Sequence, residues 1–277
     1  MHCPPALLLL ALAVPLLAQG KGGIGDLMVM PTRVVLEGRD RSAEVLLRNA
    51  GKGVCSYRVY FQEMRMLPTG AIEVIPKPEG SLTAADLVRF TPRQVQLGPG
   101  ESQVVLIHLR LMEGVPEGEY RSHLVFQGLT PVDPPKPVLE DQLDEKTLAF
   151  DIKTMVSLSI PIIVRHGETH VEVALSQLVF HSAASPGGVP SLDLQMERKG
   201  NRSAQGEFKV DWLPASGRPR TVLPVLGGTI YTCLDSRSIH MDLSEGKGVE
   251  FKGGRLKVTF AFKDVKQVPV VSFLDLP

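Results

Sequence analysis

Residues 148–164 read LAFDIKTMVSLSIPIIV, and their periodicity decides how the rest of the chain is read. Leu148, Phe150, Ile152, Val156, Leu158, Ile160, Ile162 and Val164 occupy the even positions, broken only by Thr154, while Asp151, Lys153, Ser157 and Ser159 fall on odd ones. Alternation of this length predicts one long β-strand with a single apolar face. At about 3.3 Å per residue it would run about 55 Å, whereas a typical strand covers about 17–20 Å. One small domain cannot cover such a face. Part of it is expected to lie in the chain's own core and part to be lent elsewhere; the plainer alternative is a central strand buried against the cores of both domains. Pro161 has no N–H to give to a ladder, which points to an edge or a bulge late in the strand.

Working outward, the 277 residues suffice for two ordinary domains, each with its own core. Lys plus Arg equals Asp plus Glu at 30 each, so no overall field draws in nucleic acid or an anionic membrane. Residues 4–18, PPALLLLALAVPLLA, are too short and too proline-broken to span a bilayer, and Ala18-Gln19-Gly20 follows. This predicts a secretory signal peptide over residues 1–20 and an exported, soluble mature chain that is not an integral membrane protein. Cys3 would leave with the signal. Cys55 and Cys233 remain, with two readings open: an oxidised pair, or two separate thiols in different domains.

From Lys21 onward short apolar runs are parted by Gly, Pro and Asn, with one helical turn expected near residues 82–87. Residues 27–36, 43–48 and 55–64 read as the first strands. Within residues 87–111, LVRFTPRQVQLGPGESQVVLIHLRL, Phe90, Val95 and Leu97 lead into a turn at Gly98-Pro99-Gly100-Glu101, and Val104, Leu106 and His108 resume the strand beyond it. Residues 118–129 give another strand. Residues 130–146, TPVDPPKPVLEDQLDEK, form a proline- and acid-rich loop of a length that is usually functional or disordered. Arg165-His166-Gly167 reads as a hinge, and strands are expected beyond it at residues 192–197, 207–213, 229–234 and 255–262. The fold class is therefore all-β: one sandwich over residues 21–165 and a second over 166–277.

The first domain resembles the periplasmic pilus-assembly chaperones of the PapD-like type. Thr32-Arg33-Val34-Val35 matches the family's first strand, Arg48-Asn49 closes the second, and Leu97, Pro99, Gly100 and Gln103 fit its "Leu-x-Pro-Gly-x-x-Gln" signature. GEYRSHLVF is similar to the strand before the family's long variable loop, and IPIIVRHG to the end of its donor strand and hinge. The resemblance implies two immunoglobulin-like sandwiches set at an angle with a cleft between them. It also implies a non-enzymatic, cofactor-free periplasmic chaperone that caps pilus or fimbrial subunits by donor-strand complementation and delivers them to an outer-membrane usher. Leu148, Phe150, Ile152 and Val156 would fill the subunit's groove. Arg33 matches the family's first-strand arginine, which anchors the subunit's terminal carboxylate. The family's partner lysine falls near Ser159 to Pro161, where this chain has no base, and Arg165 is the nearest substitute in sequence.

Two other readings compete with this one. A tandem of immunoglobulin-like domains with a structural or adhesive role at the cell surface needs no donor strand. His166, His170 and His181 do not follow the helical His-Glu-x-x-His order, so no metal site is expected. The sequence holds no serine elbow, no paired-carboxylate setting and no phosphate-cradling glycine loop.

Overall fold

The computed structural model describes residues 26–129, 156–183, 185 and 188–277. The signal-peptide expectation over residues 1–20, the loop 130–146, and the expected groove-filling residues Leu148, Phe150 and Ile152 lie outside the described residues.

Two sheets make the first sandwich. One has the order β1 (Leu27–Met30), β3 (Ser42–Asn49), β9 (Ser102–Leu109), β7 (Val88–Thr91). The other has the order β2 (Val34–Glu37), β11 (Ser157–His166), β10 (Gly118–Leu129), β4 (Cys55–Gln62), β8 (Gln94–Leu97). Period-2 alternation puts Val45, Leu47, Val105 and Ile107 from the first against Leu36, Tyr57, Leu124, Phe126, Ile162 and Val164 from the second, all of them buried. At Pro31, which cannot donate to a ladder, the chain leaves β1 and crosses to the opposite sheet, where β2 lies parallel to β11. A small hairpin, β5 (Met64–Met66) and β6 (Ile72–Val74), stands apart from both sheets.

The expected helical turn is α1 (Ala84–Leu87), opened by the Asp86 carboxylate accepting the Thr83 N–H at 2.9 Å. On β9 the odd residues face the core. Val105 and Ile107 are buried, while Val104 is 37% exposed. Residues 104–107, VVLI, are apolar on both parities, so alternation alone could not choose the face.

The second sandwich pairs β12 (Val171–His181), β13 (Ser191–Gly200) and β16 (Ser236–Asp242) in one sheet. The facing sheet runs β15 (Arg220–Ile230), β14 (Ala204–Leu213), β17 (Arg255–Phe262), β18 (Val270–Asp275). Leu192, Met196, Phe208, Val210, Met241, Leu256 and Phe260 fill the space between, with the Phe208 and Phe260 rings 4.9 Å apart. The strand expected over residues 229–234 instead ends at Ile230, and β16 and β18 went unread in the sequence.

Asn49 ties the first sandwich together. Its buried amide donates to Gly53 O at 2.7 Å and to the carbonyls of Leu97 and Gly98 at 3.1 Å, while its Oδ1 accepts the Gly51 N–H at 2.9 Å. The turn between β8 and β9 closes onto it: Gly100, at φ 75, donates to Asn49 O at 3.0 Å, and Gly98 N–H bonds the Glu101 carboxylate at 2.6 Å. The Arg48-Asn49 and Leu-x-Pro-Gly motifs are thus two halves of one junction. Asn49→Ala would strand several buried carbonyls and should lower stability by at least about 1–3 kcal/mol in urea titration. An unchanged midpoint would remove Asn49 from that role.

Candidate functional site

Strand β11 is where the two candidate features meet. Its even residues continue the face that fills the first core, but exposure rises toward its beginning: Val164 and Ile162 are at 0%, Ile160 at 4%, Leu158 at 38% and Val156 at 37%. The cause lies in the neighbours. β10 pairs with β11 along its whole described length, from Gly118↔His166 to Gln127↔Ser157. β2, on the other side, pairs only with Ile162 to Arg165. Among the described residues, residues 157–161 therefore have no strand partner on the side away from β10. An edge of this kind presents free N–H and C=O groups to any strand of the right length. Leu158 and Val156 stand beside that edge, exposed and outside the packed core of the first sandwich.

The odd residues of β11 face the other way and end at a cluster of charges between the two sandwiches. Arg165, weighed in the sequence as a carboxylate anchor, has only 2% of its side chain exposed. Nε donates to Glu119 at 3.0 Å, Nη1 to Glu37 at 3.0 Å and Nη2 to Asp264 at 2.6 Å. All three guanidinium nitrogens are thus on carboxylates, two from the first sandwich and one from the second, so this arginine acts as a tie between them. Arg202 of the second sandwich repeats the pattern, reaching Glu37 at 2.9 Å and the backbone carbonyl of Asp264 at 2.7 Å. Burial alone would depress the Arg165 guanidinium, but Glu119 and the other carboxylates hold it above its ordinary value.

Glu119 has a side chain at 0% exposure and is the anionic centre of the cluster. Besides Arg165 it accepts from the Ser203 hydroxyl at 2.9 Å and from Arg121 at 3.0 Å. Burial would raise its pKa, and the charge of Arg121, the Ser203 hydroxyl and Arg165 together reverse that and hold it below the usual carboxylate range.

Arg33 lies on the same side of the sheet, just ahead of β2. It is 23% exposed, and its contact with Asp264 is long, at 3.6 Å. Its guanidinium is pulled below its ordinary value, by burial first and then by the positive charge of Arg121. Arg121, which the sequence reading passed over, sits on β10 opposite Ile163 and lies over the Tyr231 ring at 3.7 Å. Beside it His123 is 5% exposed, its pKa pushed down to about 4 by burial and by Arg121, so this imidazole is neutral at physiological pH.

The remaining sequence candidates lie elsewhere. His181 pairs with Asp193 at 2.8 Å on the outer face of the second sandwich, and among the described residues no cluster of His, Cys, Asp and Glu is placed to hold a metal. Cys55 lies in the first core, while the Cys233 thiol donates to Met66 O at 3.8 Å; the two are not bonded to each other. Among the described residues no helix is long and apolar enough to cross a membrane.

No protein-family model matches the chain, and no curated protein does. Solved structures similar to it include the class 5 fimbriae chaperone CfaA, at 14% identity and TM-score 0.49, covering 91% of this chain and 99% of that one. Another is a chaperone–tip adhesion subunit pre-assembly complex of the archaic Csu pili of Acinetobacter baumannii, at 10% identity and TM-score 0.46, covering 88% and 97%. A third is the E. coli chaperone DraB, at 12% identity and TM-score 0.41, covering 91% and 95%.

The depressed pKa of Glu119 fixes the sign of a pH effect. Its contribution is fully present above the unfolded value of about 4.3 and is lost as pH falls through the lower folded value. Glu119→Gln should cost about 1.5–3 kcal/mol at neutral pH and make the fall in melting temperature below about pH 4.3 shallower. A neutral-pH stability equal to that of the parent would show that the cluster contributes nothing net.

Proposed function

We propose that the chain is a periplasmic chaperone that binds, folds and caps pilus or other surface-fibre subunits by donating β11 and the residues before it, and passes them to an outer-membrane usher. The observation that carries the reading is the edge of residues 157–161, which has no strand partner on the side away from β10 among the described residues and is bordered by exposed Val156 and Leu158 on a face that is core from Ile160 onward. The resemblance of residues 32–35, 48–49, 89–110, 118–126 and 160–167 to the pilus chaperones supports it. Leu148, Phe150 and Ile152 share the parity of Val156 and extend the same apolar row toward the beginning of the strand.

A subunit with an open groove would gain backbone hydrogen bonds from the edge and apolar burial from this row. Three such side chains, at about 1.5–3 kcal/mol each, contribute about 5–9 kcal/mol before the costs of ordering and association. That is enough to hold a subunit and small enough to release it. Arg33 is the proposed anchor for the subunit's terminal carboxylate, since its guanidinium is partly exposed and only loosely engaged by Asp264. Arg165 takes part by fixing the junction at which that anchor stands.

Leu158→Asp changes a half-exposed residue, so the free protein should stay folded while co-purification of subunits falls at least about tenfold. Phe150→Asp and Ile152→Asp should do the same, and Arg33→Ala should reduce subunit recovery more modestly. Full recovery of complexes from the aspartate variants would rule out strand donation through this face.

A further inference from the structure

The outer face of the sheet formed by β1, β3, β9 and β7 is apolar at its centre. On β3 the odd residues Val45 and Leu47 are buried, so Glu44, Leu46 and Arg48 point away from the core. Strand pairing sets their neighbours. Leu46 lies opposite Met30 of β1 and Val104 of β9, Arg48 lies opposite Met28, and Glu44 lies opposite Leu106. Met28, Met30 and Val104 are 47%, 52% and 37% exposed, and Leu46 and Leu106 are half-buried without belonging to the packed core. Single exposed apolar residues are ordinary, but five clustered on one sheet face mark an interaction surface. Two of them are methionines, whose flexible side chains adapt to whatever they meet.

The charges on this face say what covers it. Glu44 and Arg48 stand on either side of Leu46 along one strand, and among the described residues no ion pair or side-chain hydrogen bond engages either. A strand carrying an acid, a leucine and a base at successive outward positions is the complement of its own reverse. A second copy can be placed by a two-fold axis that lies between the stacked sheets and crosses the strands at the level of Leu46. The two β3 strands then run antiparallel, one over the other. Met30, Leu46 and Val104 each meet their own equivalents, and Glu44 of each copy faces Arg48 of the other. Packed sheets stand about 10 Å apart, a gap that a glutamate and an arginine bridge together. Their usual tilt of about 30° displaces residues two places from the axis by only about 3.5 Å, which an arginine fork spans. A two-fold axis along the strands would instead set Glu44 on Glu44 and Arg48 on Arg48, which is repulsive.

We propose that the chain forms a two-fold dimer through the outer face of this sheet, centred on Met30, Leu46 and Val104 and set in register by Glu44 and Arg48. β11 belongs to the opposite sheet of the sandwich, so both copies keep the edge of residues 157–161 clear of the interface. The dimer does not depend on the function proposed above, and it presents two such edges in one particle.

Sedimentation velocity of the mature protein from about 1 to about 100 µM tests the interface, and a monomer–dimer equilibrium is expected in that range. Leu46→Asp meets its own charge at the axis and should leave a monomer throughout. Glu44→Arg and Arg48→Glu should each raise the dissociation constant at least about tenfold, because symmetry turns one substitution into two like-charge contacts. Both substitutions together should return it to within about threefold of the parent. A parent that stays monomeric at the highest concentration overturns the proposal. So does a dimer indifferent to Leu46→Asp, or one lost in Leu158→Asp, which would place the interface on β11. Weakened single variants with no rescue in the double variant overturn the antiparallel register and the two-fold built on it. Glu44 and Arg48 are exposed, so the charge exchange decides the question should Leu46→Asp fail to fold.

Discussion

Arg165 is a buried cation, and a buried cation persists only where anions surround it. Glu37, Glu119 and Asp264 meet that requirement from three directions, and because Asp264 belongs to the second sandwich, satisfying the charge also fastens the two sandwiches together. Truncating any one carboxylate leaves part of the guanidinium unpaired, so the cluster's demand falls on the junction as a whole. Such a cluster is weak evidence for net stability, since apolar residues of the same volume often do as well. Its directional bonds do fix one relative placement of β2, β10, β11 and the strands of the second sandwich.

The same strand carries the other half of the account. β11 is anchored at its end by Arg165 and buried in its middle by Ile160, Ile162 and Val164, while among the described residues its beginning pairs with β10 alone. The proposed function gives the anchored and open parts of this element different jobs. A fixed end holds the register, and an open end can lend its edge without disturbing the core.

Much of the fold was legible because alternation and turn residues are local signals. β4 shows it with Cys55, Tyr57 and Val59 inward, and β17 with Leu256, Val258 and Phe260. Where both parities were apolar, as at Val104 to Ile107, the signal vanished and alternation left the inward face open. β18 escaped because VVSFLD follows a proline and carries apolar residues on both faces, and β16 because SRSIHMD has few apolar residues with which to show a period.

The candidate site was legible only where it lay within one segment. Val156 announced itself by parity and Arg33 by its place in a motif, whereas Leu158, expected in the chain's own core, is 38% exposed. Arg121, Glu119, Ser203, Tyr231 and Asp264 come together from strands and loops far apart in the chain, and no spacing in the sequence marks them as neighbours. Arg165 illustrates the difference: its proximity to the expected lysine position suggested an anchor, whereas three carboxylates brought by the fold make it a tie.

The most direct test of this account is amide hydrogen exchange across β11, in the free protein and in a complex with a co-expressed fibre subunit. The account predicts that residues 162–165 are protected in both states, and that those amides of residues 157–161 turned away from β10 exchange rapidly in the free protein and become protected in the complex. Protection of the whole strand in the free protein, or an exchange pattern that the subunit leaves unchanged, would contradict it.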